Sequence, residues 1–203
     1  MKILNLYSGI GGNRKLWGDT HDITAIEYKP EIAKIYQDFF PNDKVVVADA
    51  HQYLLEHFQE YDFIWSSPPC PSHSRVRFAN QIQNKPIFPE MSLYQEIILL
   101  KHYFKGLWCV ENVIAFYEPL IPPNEVAKHW FWTNFILRDF AGGGRGMGQD
   151  ENLQDLYKLK GFDLTPYKGI DKMKTIRNCV EPELGKHILD LAINPIQIQK
   201  TIF

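Results

Sequence analysis

Cys70 stands in the run Trp65-Ser66-Ser67-Pro68-Pro69-Cys70-Pro71-Ser72-His73-Ser74. Prolines on both sides of it restrict several backbone angles, so the thiol is expected on a stiff loop and not inside a strand. A structural cysteine is usually buried among apolar neighbours, which is the expectation for Cys109 in LWCVE. Cys70 instead has serines, a histidine and then Arg75 and Arg77 close by, a setting that favours the thiolate and hence a nucleophile. Cys179 reads as a small residue at a packed helix start, with no chemistry assigned. Glu111-Asn112-Val113 offers a second group. A carboxylate beside a nucleophilic cysteine serves as an acid or hydrogen-bond partner if burial raises its pKa. An acid capping a loop is the alternative, and Glu111 alone does not separate the two.

A third cluster is Tyr7-Ser8-Gly9-Ile10-Gly11-Gly12. Such glycines let backbone approach a ligand closely, with a helix N-terminus expected behind them. Arg14 occupies the third glycine position of a dinucleotide fingerprint, which disfavours a pyrophosphate-bearing cofactor. Glu27 and Asp49 each follow an apolar run, and a carboxylate at a strand end can accept two hydrogen bonds from a ribose diol. In isolation either acid is a solvated strand end. Together with the glycines they favour a nucleoside-like cofactor without a diphosphate, a description that S-adenosylmethionine meets.

These groups need a scaffold. Ile3 to Tyr7, Ile23 to Glu27, Lys44 to Ala48, Tyr61 to Ser66 and Leu107 to Glu111 are short apolar runs expected as strands. Helical stretches separate them: one through Trp17, one opened by Pro30 with Ile32, Ile35, Tyr36 and Phe39 on one face, and Ser92 to Phe104. Strands spaced by helices imply parallel pairing with right-handed crossovers, an α/β, mostly parallel, doubly wound sheet. Ligands then bind outside the carboxyl ends of the strands, where all three clusters fall. His129 to Leu137 reads as a further strand. Ala141 to Gly148 holds five glycines in eight residues and cannot hold a helix. Lys158 to Arg177 is locally basic, and a last amphipathic helix is expected from near Pro182 to Ala192.

Composition sets the limits. With 203 residues one core buries roughly 70% of the unfolded chain's surface, so no staple is needed. Hydrophobic residues are 45% and charged residues 23%, which argues against disorder. No apolar run approaches the ~18 residues of a membrane span, and a strand-like run directly after Met1 leaves no room for a signal peptide. Three cysteines are too few and scattered for a disulfide framework or a four-ligand zinc site; no metal is expected, and a reducing cytoplasm fits best. The formal charge is −2, from 22 basic and 24 acidic residues, so contacts to nucleic acid must come from local patches.

Taken together the motifs resemble the DNA cytosine-5 methyltransferase family. Tyr7 to Gly12 is similar to its cofactor loop, Glu27 to its ribose-binding acid, Asp49 to its adenine-contacting acid, and Pro69-Cys70 to the Pro-Cys of its catalytic loop, with Ser74 at that loop's later serine. Glu111-Asn112-Val113 matches its Glu-Asn-Val triplet, and Arg177-Asn178-Cys179-Val180 resembles the element that packs back beside the cofactor. The resemblance implies a Rossmann-like S-adenosylmethionine-dependent methyltransferase fold. It implies a donor site of Tyr7, Ser8, Gly9, Ile10, Gly11, Gly12, Glu27, Tyr28, Asp49, Ala50, Pro69, Asn178 and Val180. It also implies double-stranded DNA with a flipped cytosine as substrate, Cys70 adding to C6, Glu111 acting at N3, and Asn112 and Ser74 positioning the loop.

Two departures stand out. An arginine of a Gln-x-Arg-x-Arg element usually helps hold the cytosine; here Val126 to Trp132 is the counterpart, so Lys128 or His129 would substitute, without the arginine fork. The target-recognition region is short. The expected organisation is 1–137 for catalysis and donor binding, 138–176 as a reduced recognition insert, and 177–203 as a C-terminal helix packing back. Arg75, Arg77, Arg145, Lys172 and Lys174 are the expected DNA contacts, and a homodimer or helper subunit would supply missing recognition. A cytosine-5 methyltransferase acting on tRNA, and a regulatory homologue with weakened catalysis, stay open. Cys70 and Glu-Asn-Val argue against an amino-methyltransferase with a Ser-Pro-Pro-Tyr loop.

Overall fold

A computed structural model of the chain describes residues 1–79, 85–140 and 152–194. The apolar runs become β1 (Lys2–Leu6), β2 (Asp22–Glu27), β3 (Lys44–Val47), β4 (Phe63–Ser66) and β5 (Leu107–Val113). They pair in parallel in the order β3-β2-β1-β4-β5. Two further strands, β6 (Asn124–Val126) and β7 (His129–Thr133), complete the sheet as β5-β7-β6 with antiparallel pairing. The chain winds outward from β1 to β3 and then returns to β4 on the other side of β1. That reversal opens a crevice at the carboxyl ends of β1 and β4.

Alternation along the strands divides the core between the two faces. Leu4, Leu6, Ile64 and Val110 face α2 (Ala50–His57) and α4 (Ser92–Tyr103), while Ile3, Phe63, Trp65, Cys109 and Phe131 face α7 (Pro182–Ile193). A third cluster joins β2 and α1 (Pro30–Phe39) to α5 (Leu153–Lys160) and α6 (Lys172–Arg177) through Tyr36, Phe40, Leu156 and Phe162. The remaining helix, α3 (Arg75–Ala79), follows the Cys70 loop. No described helix is long and apolar enough to cross a membrane.

Several boundaries differ from the sequence expectation. Residues 12–17 form turns and no helix, so the glycines are not backed by a helix N-terminus. The reason is close packing: a Cβ on Gly185 of α7 would lie 2.3 Å from the Asn13 carbonyl oxygen, and the Trp17 indole donates to the Gly185 carbonyl at 3.0 Å. The chain bends around α7. β5 continues past Glu111 to Val113, and β7 ends at Thr133 before Leu137. Asn134 closes β7 by accepting from Trp108 N–H at 3.0 Å and donating to the Gly106 carbonyl at 2.9 Å. Ala141 to Gly148 lies outside the described residues. Within the basic stretch, Lys160 is buried, its ammonium donating to the Cys179 carbonyl, so it is no surface charge.

Candidate active site

β1 runs directly into Tyr7 and Ser8. Tyr7 and Gly9 adopt φ of 54° and 55°, the left-handed region, which Tyr7 occupies at a cost that its surroundings must meet. The anchor is Glu96 of α4, whose side chain is wholly buried. Its Oε1 accepts from the Tyr7 hydroxyl at 2.6 Å and faces His51 Nδ1 at 2.9 Å, and its Oε2 accepts from the Ser66 hydroxyl at 2.5 Å. One carboxylate thus ties together the ends of β1 and β4 and the start of α2. Burial and the Glu96 charge push the Tyr7 phenol far up, so it stays a donor. His51 is raised through its hydrogen bond to Glu96. Sequence inspection missed Glu96. Its signal was an acid on the apolar face formed by Leu93, Ile97 and Leu100.

Glu27 closes the other wall. Its Oε2 accepts from Gly9 N–H at 3.1 Å and its Oε1 from Lys29 N–H at 2.9 Å. The carboxylate is therefore held in place with lone pairs remaining for a diol. Asp49 caps α2, its Oδ1 accepting from Gln52 N–H at 2.9 Å, with Ala50 buried behind it and Tyr28 72% exposed at the rim. A Cβ on Gly9 would meet nothing within 4 Å, and the buried Ser8 hydroxyl has no protein partner. Open space beside an unpaired donor and a pre-set carboxylate fits the ribose and amino-acid parts of S-adenosylmethionine. Gly11 and Gly12 are packed: Cβ atoms there would lie 2.4 Å from Phe40 and 2.5 Å from the Val180 carbonyl oxygen. Ile10 is buried. The Asn178-Cys179-Val180 segment, its Asn178 exposed, thus lies directly against the glycine loop. Arg14 is absent from this wall; it is buried on Asp43, with Nε to Oδ2 at 2.8 Å.

β4 leads into the cysteine loop. Cys70 is half-buried, and its carbonyl accepts from His73 N–H and Ser74 N–H at 3.0 and 3.1 Å. Asn112 Nδ2 donates to the Pro68 carbonyl at 3.0 Å, clamping the loop to β5, while Pro69 is exposed. Ser74 pairs with Ala115, and its hydroxyl accepts from Val76 N–H at 3.2 Å. Cys70 lies within the field of Glu111. The expectation that nearby arginines favour a thiolate is overturned. Burial pushes the Cys70 thiol up, and Glu111 pushes it the same way; a backbone hydrogen bond and Lys174 oppose them. Arg75 and Arg77 are turned to backbone carbonyls, those of Ala115 at 3.3 Å and Lys85 at 2.7 Å. His73 is buried with Nδ1 2.5 Å from the Tyr117 hydroxyl, and burial lowers its pKa.

The β5–β7 register settles which residue joins Glu111. Glu111 pairs with Phe131, so His129, two residues earlier on the same face, is its diagonal neighbour. His129 Nδ1 lies 2.6 Å from Glu111 Oε1. Lys128 sits in the exposed β6–β7 turn with φ of 66° and is not brought to Glu111 by this register. Of the other basic residues, Lys172 donates to the Thr165 carbonyl at 2.9 Å, Lys174 is exposed, and Arg145 lies outside the described residues. No cluster of metal-ligating side chains occurs among the described residues.

A parallel sheet wound outward from β1 in both directions, with an antiparallel β7-β6 edge, is the Rossmann-like fold of S-adenosylmethionine-dependent methyltransferases. Residues 1–116, more than half of the chain, match the family model of C-5 cytosine-specific DNA methylases, and the chain belongs to that family. Its methyl donor is S-adenosylmethionine. No curated protein sequence matches the chain. Among solved structures, a hypothetical protein of Thermus thermophilus is 15% identical over 65% of this chain and 73% of that one, with a TM-score of 0.44. A triple mutant of Spodoptera frugiperda DNMT2 is 24% identical over 55% of this chain, TM-score 0.38, and the methyltransferase EhMeth of Entamoeba histolytica is 17% identical over 56%, TM-score 0.36. The matches cover only 35% and 38% of those last two chains. The fold assignment rests on the strand order and the family match.

Proposed function

We propose that the chain methylates C5 of cytosine in double-stranded DNA through a covalent adduct on Cys70. The observation that carries this is the Asn112–Pro68 hydrogen bond at 3.0 Å, which locks the cysteine loop against the strand bearing Glu111. A thiol and a carboxylate are thereby held on one rim of the crevice whose other rim, at Ser8, Gly9 and Glu27, suits the methyl donor.

C5 of cytosine is a weak nucleophile and is out of reach inside a duplex, so the base is flipped into the crevice at a cost of a few kcal/mol. Cys70 gives its proton to solvent and the thiolate forms the bond to C6 while Glu111 delivers a proton to N3, which makes C5 an enamine carbon. S-adenosylmethionine, when bound, supplies an electrophilic methyl group on sulfur. After methylation the C5 proton passes to solvent base, the C6–S bond breaks, and N3 returns its proton to Glu111. Ser74 and Asn112 hold the loop through these steps. Phosphates are met by Arg75, Arg77, Lys174 and Lys172, with Arg145 on the insert, and a second subunit or helper extends recognition. Residues 1–137 form the catalytic part, 138–176 the recognition insert and 177–203 the C-terminal segment, of which Pro182–Ile193 packs back on the sheet.

The test offers labelled methyl donor with DNA, RNA and free nucleotide, followed by identification of the modified base. The expected product is 5-methylcytosine in DNA; label in RNA alone moves the substrate class to RNA. Cys70→Ala abolishes transfer with donor binding nearly intact, and full activity in that variant rules out the adduct.

A further inference from the structure

His129 has a second carboxylate behind it. Its Nε2 lies 3.8 Å from Oε2 of Glu181, the residue that precedes α7, and Glu181 Oε1 lies 3.6 Å from the buried Lys160 ammonium of α5. From the crevice inward the order is Glu111, His129, Glu181, Lys160: alternating charges from β5, β7, the start of α7 and α5, with only opposite signs adjacent. Neutral imidazole would leave the charges of both carboxylates uncompensated; imidazolium donates to Glu111 at 2.6 Å and offsets the Glu181 charge 3.8 Å away. We propose that Glu181 and Lys160, both outside the 116 matched residues, form with His129 a partly buried charge ladder that orients Glu111 and ties methyl transfer to the protonation of His129.

The inference rests on Glu111 acting at cytosine N3. His129 engages Oε1 of Glu111, which leaves Oε2 to meet the base, and the imidazolium charge offsets the carboxylate left on Glu111 while its proton is on N3. The groups facing His129 are Glu111 from β5, Glu181 from the start of α7 and Lys160 from α5, with Val126 opposite on β6 and Lys128 beside it in the turn. Burial by itself would lower the His129 pKa; the hydrogen bond to Glu111 and the charges of Glu111 and Glu181 outweigh that, against Lys160, and raise it. An arginine in this position would be charged at every working pH, whereas a histidine makes the ladder titratable. Glu181 and Lys160 are positioning residues acting through His129.

Two measurements on the full chain test this. Imidazole titration by NMR should place the His129 midpoint above that of free histidine and lower it by about half a unit or more in Glu181→Gln. The rate of Glu181→Gln relative to wild type should be flat below pH 6 and fall about threefold or more by pH 9, whereas a merely structural defect scales the rate equally at every pH. His129→Arg keeps the charge but cannot titrate, so the transfer it retains should show no alkaline decline. If His129→Arg does not fold, Glu181→Gln carries the test alone. Methyl transfer with a pH-independent rate ratio, or an unmoved His129 midpoint in folded Glu181→Gln, overturns the ladder and leaves the cytosine chemistry standing. A wild-type protein with the raised imidazole titration that transfers no methyl group at any pH overturns the chemistry and the inference with it.

Discussion

The α-carbon of Gly12 lies against the carbonyl of Val180, so closely that a Cβ would stand 2.5 Å from that oxygen. A residue of the donor loop and one from the far end of the chain thus share one packing site. Gly12→Ala should cost about 1–3 kcal/mol by forcing Val180 and Cys179 away, read as a lowered denaturation midpoint. Gly9 is the contrast, since a Cβ there meets nothing. Gly9→Ala should lose donor affinity through the methyl placed in the crevice, with a stability cost limited to about 1–2 kcal/mol for the left-handed backbone.

Thiol chemistry should single out Cys70. Cys109 is fully buried and raised well above its ordinary value by that burial, and burial pushes Cys179 up to about 12. One equivalent of iodoacetamide should therefore label Cys70, slowly at neutral pH and faster as pH rises. Glu111→Gln removes a charge that raises the Cys70 thiol, so labelling should quicken in a variant that no longer methylates. Equal labelling rates in the two proteins would show that the carboxylate does not act on the thiol.

Glu96 accepts from two hydroxyls and faces His51, and a carboxamide cannot accept on both of its ends. Glu96→Gln should turn one hydroxyl into an acceptor of the amide N–H and leave its own proton without a partner, at a cost of about 1–3 kcal/mol, and release Tyr7 from its left-handed conformation. Donor affinity is the readout, with a fall of about tenfold expected from a loss near 1.4 kcal/mol.

The same group gives a pH dependence. His51 is raised above its unfolded value, chiefly by the hydrogen bond to Glu96, so its contribution to stability is fully present below the unfolded pKa. That contribution is lost as pH rises through the folded pKa. Its side chain is 40% exposed, which keeps the effect small. Denaturation midpoints should decline from pH 6 to 8 less steeply in Glu96→Gln than in wild type.

Arg14 and Asp43 form a buried pair reinforced by the Tyr36 hydroxyl, which donates to Asp43 Oδ2 at 2.8 Å. Asp43→Ala should leave the buried guanidinium only the exposed Asp19, 3.3 Å from its Nη2, and cost about 3 kcal/mol, measurable by chemical denaturation. Donor binding in the folded fraction should change little, because the pair lies behind the loop and not on its ligand side.

Much of the fold and site was legible in the residues. Five apolar runs with helices between them dictate a parallel sheet, because burying both faces of short strands requires crossovers. Glycines, Glu27, Asp49 and Cys70 close or follow strands in sequence order, Glu111 stands near the end of β5, and right-handed winding brings those ends to one edge.

What sequence could not carry is everything set by approach between distant segments. The choice of His129 over Lys128 follows from the register of β7 on β5, and a slip of one residue would have turned the histidine to the other face. The turns at 12–17 follow from α7 pressing on Asn13, where local propensity alone points to a helix. Cys70 has arginines for sequence neighbours but burial and Glu111 for spatial ones, and desolvation with a like charge decides its proton. Glu96, Glu181 and Lys160 carry no motif at all. Local residue chemistry determined the sheet and its loops; the charges that act on one another were decided by tertiary packing, because electrostatic and steric forces depend on distance through space and not along the chain.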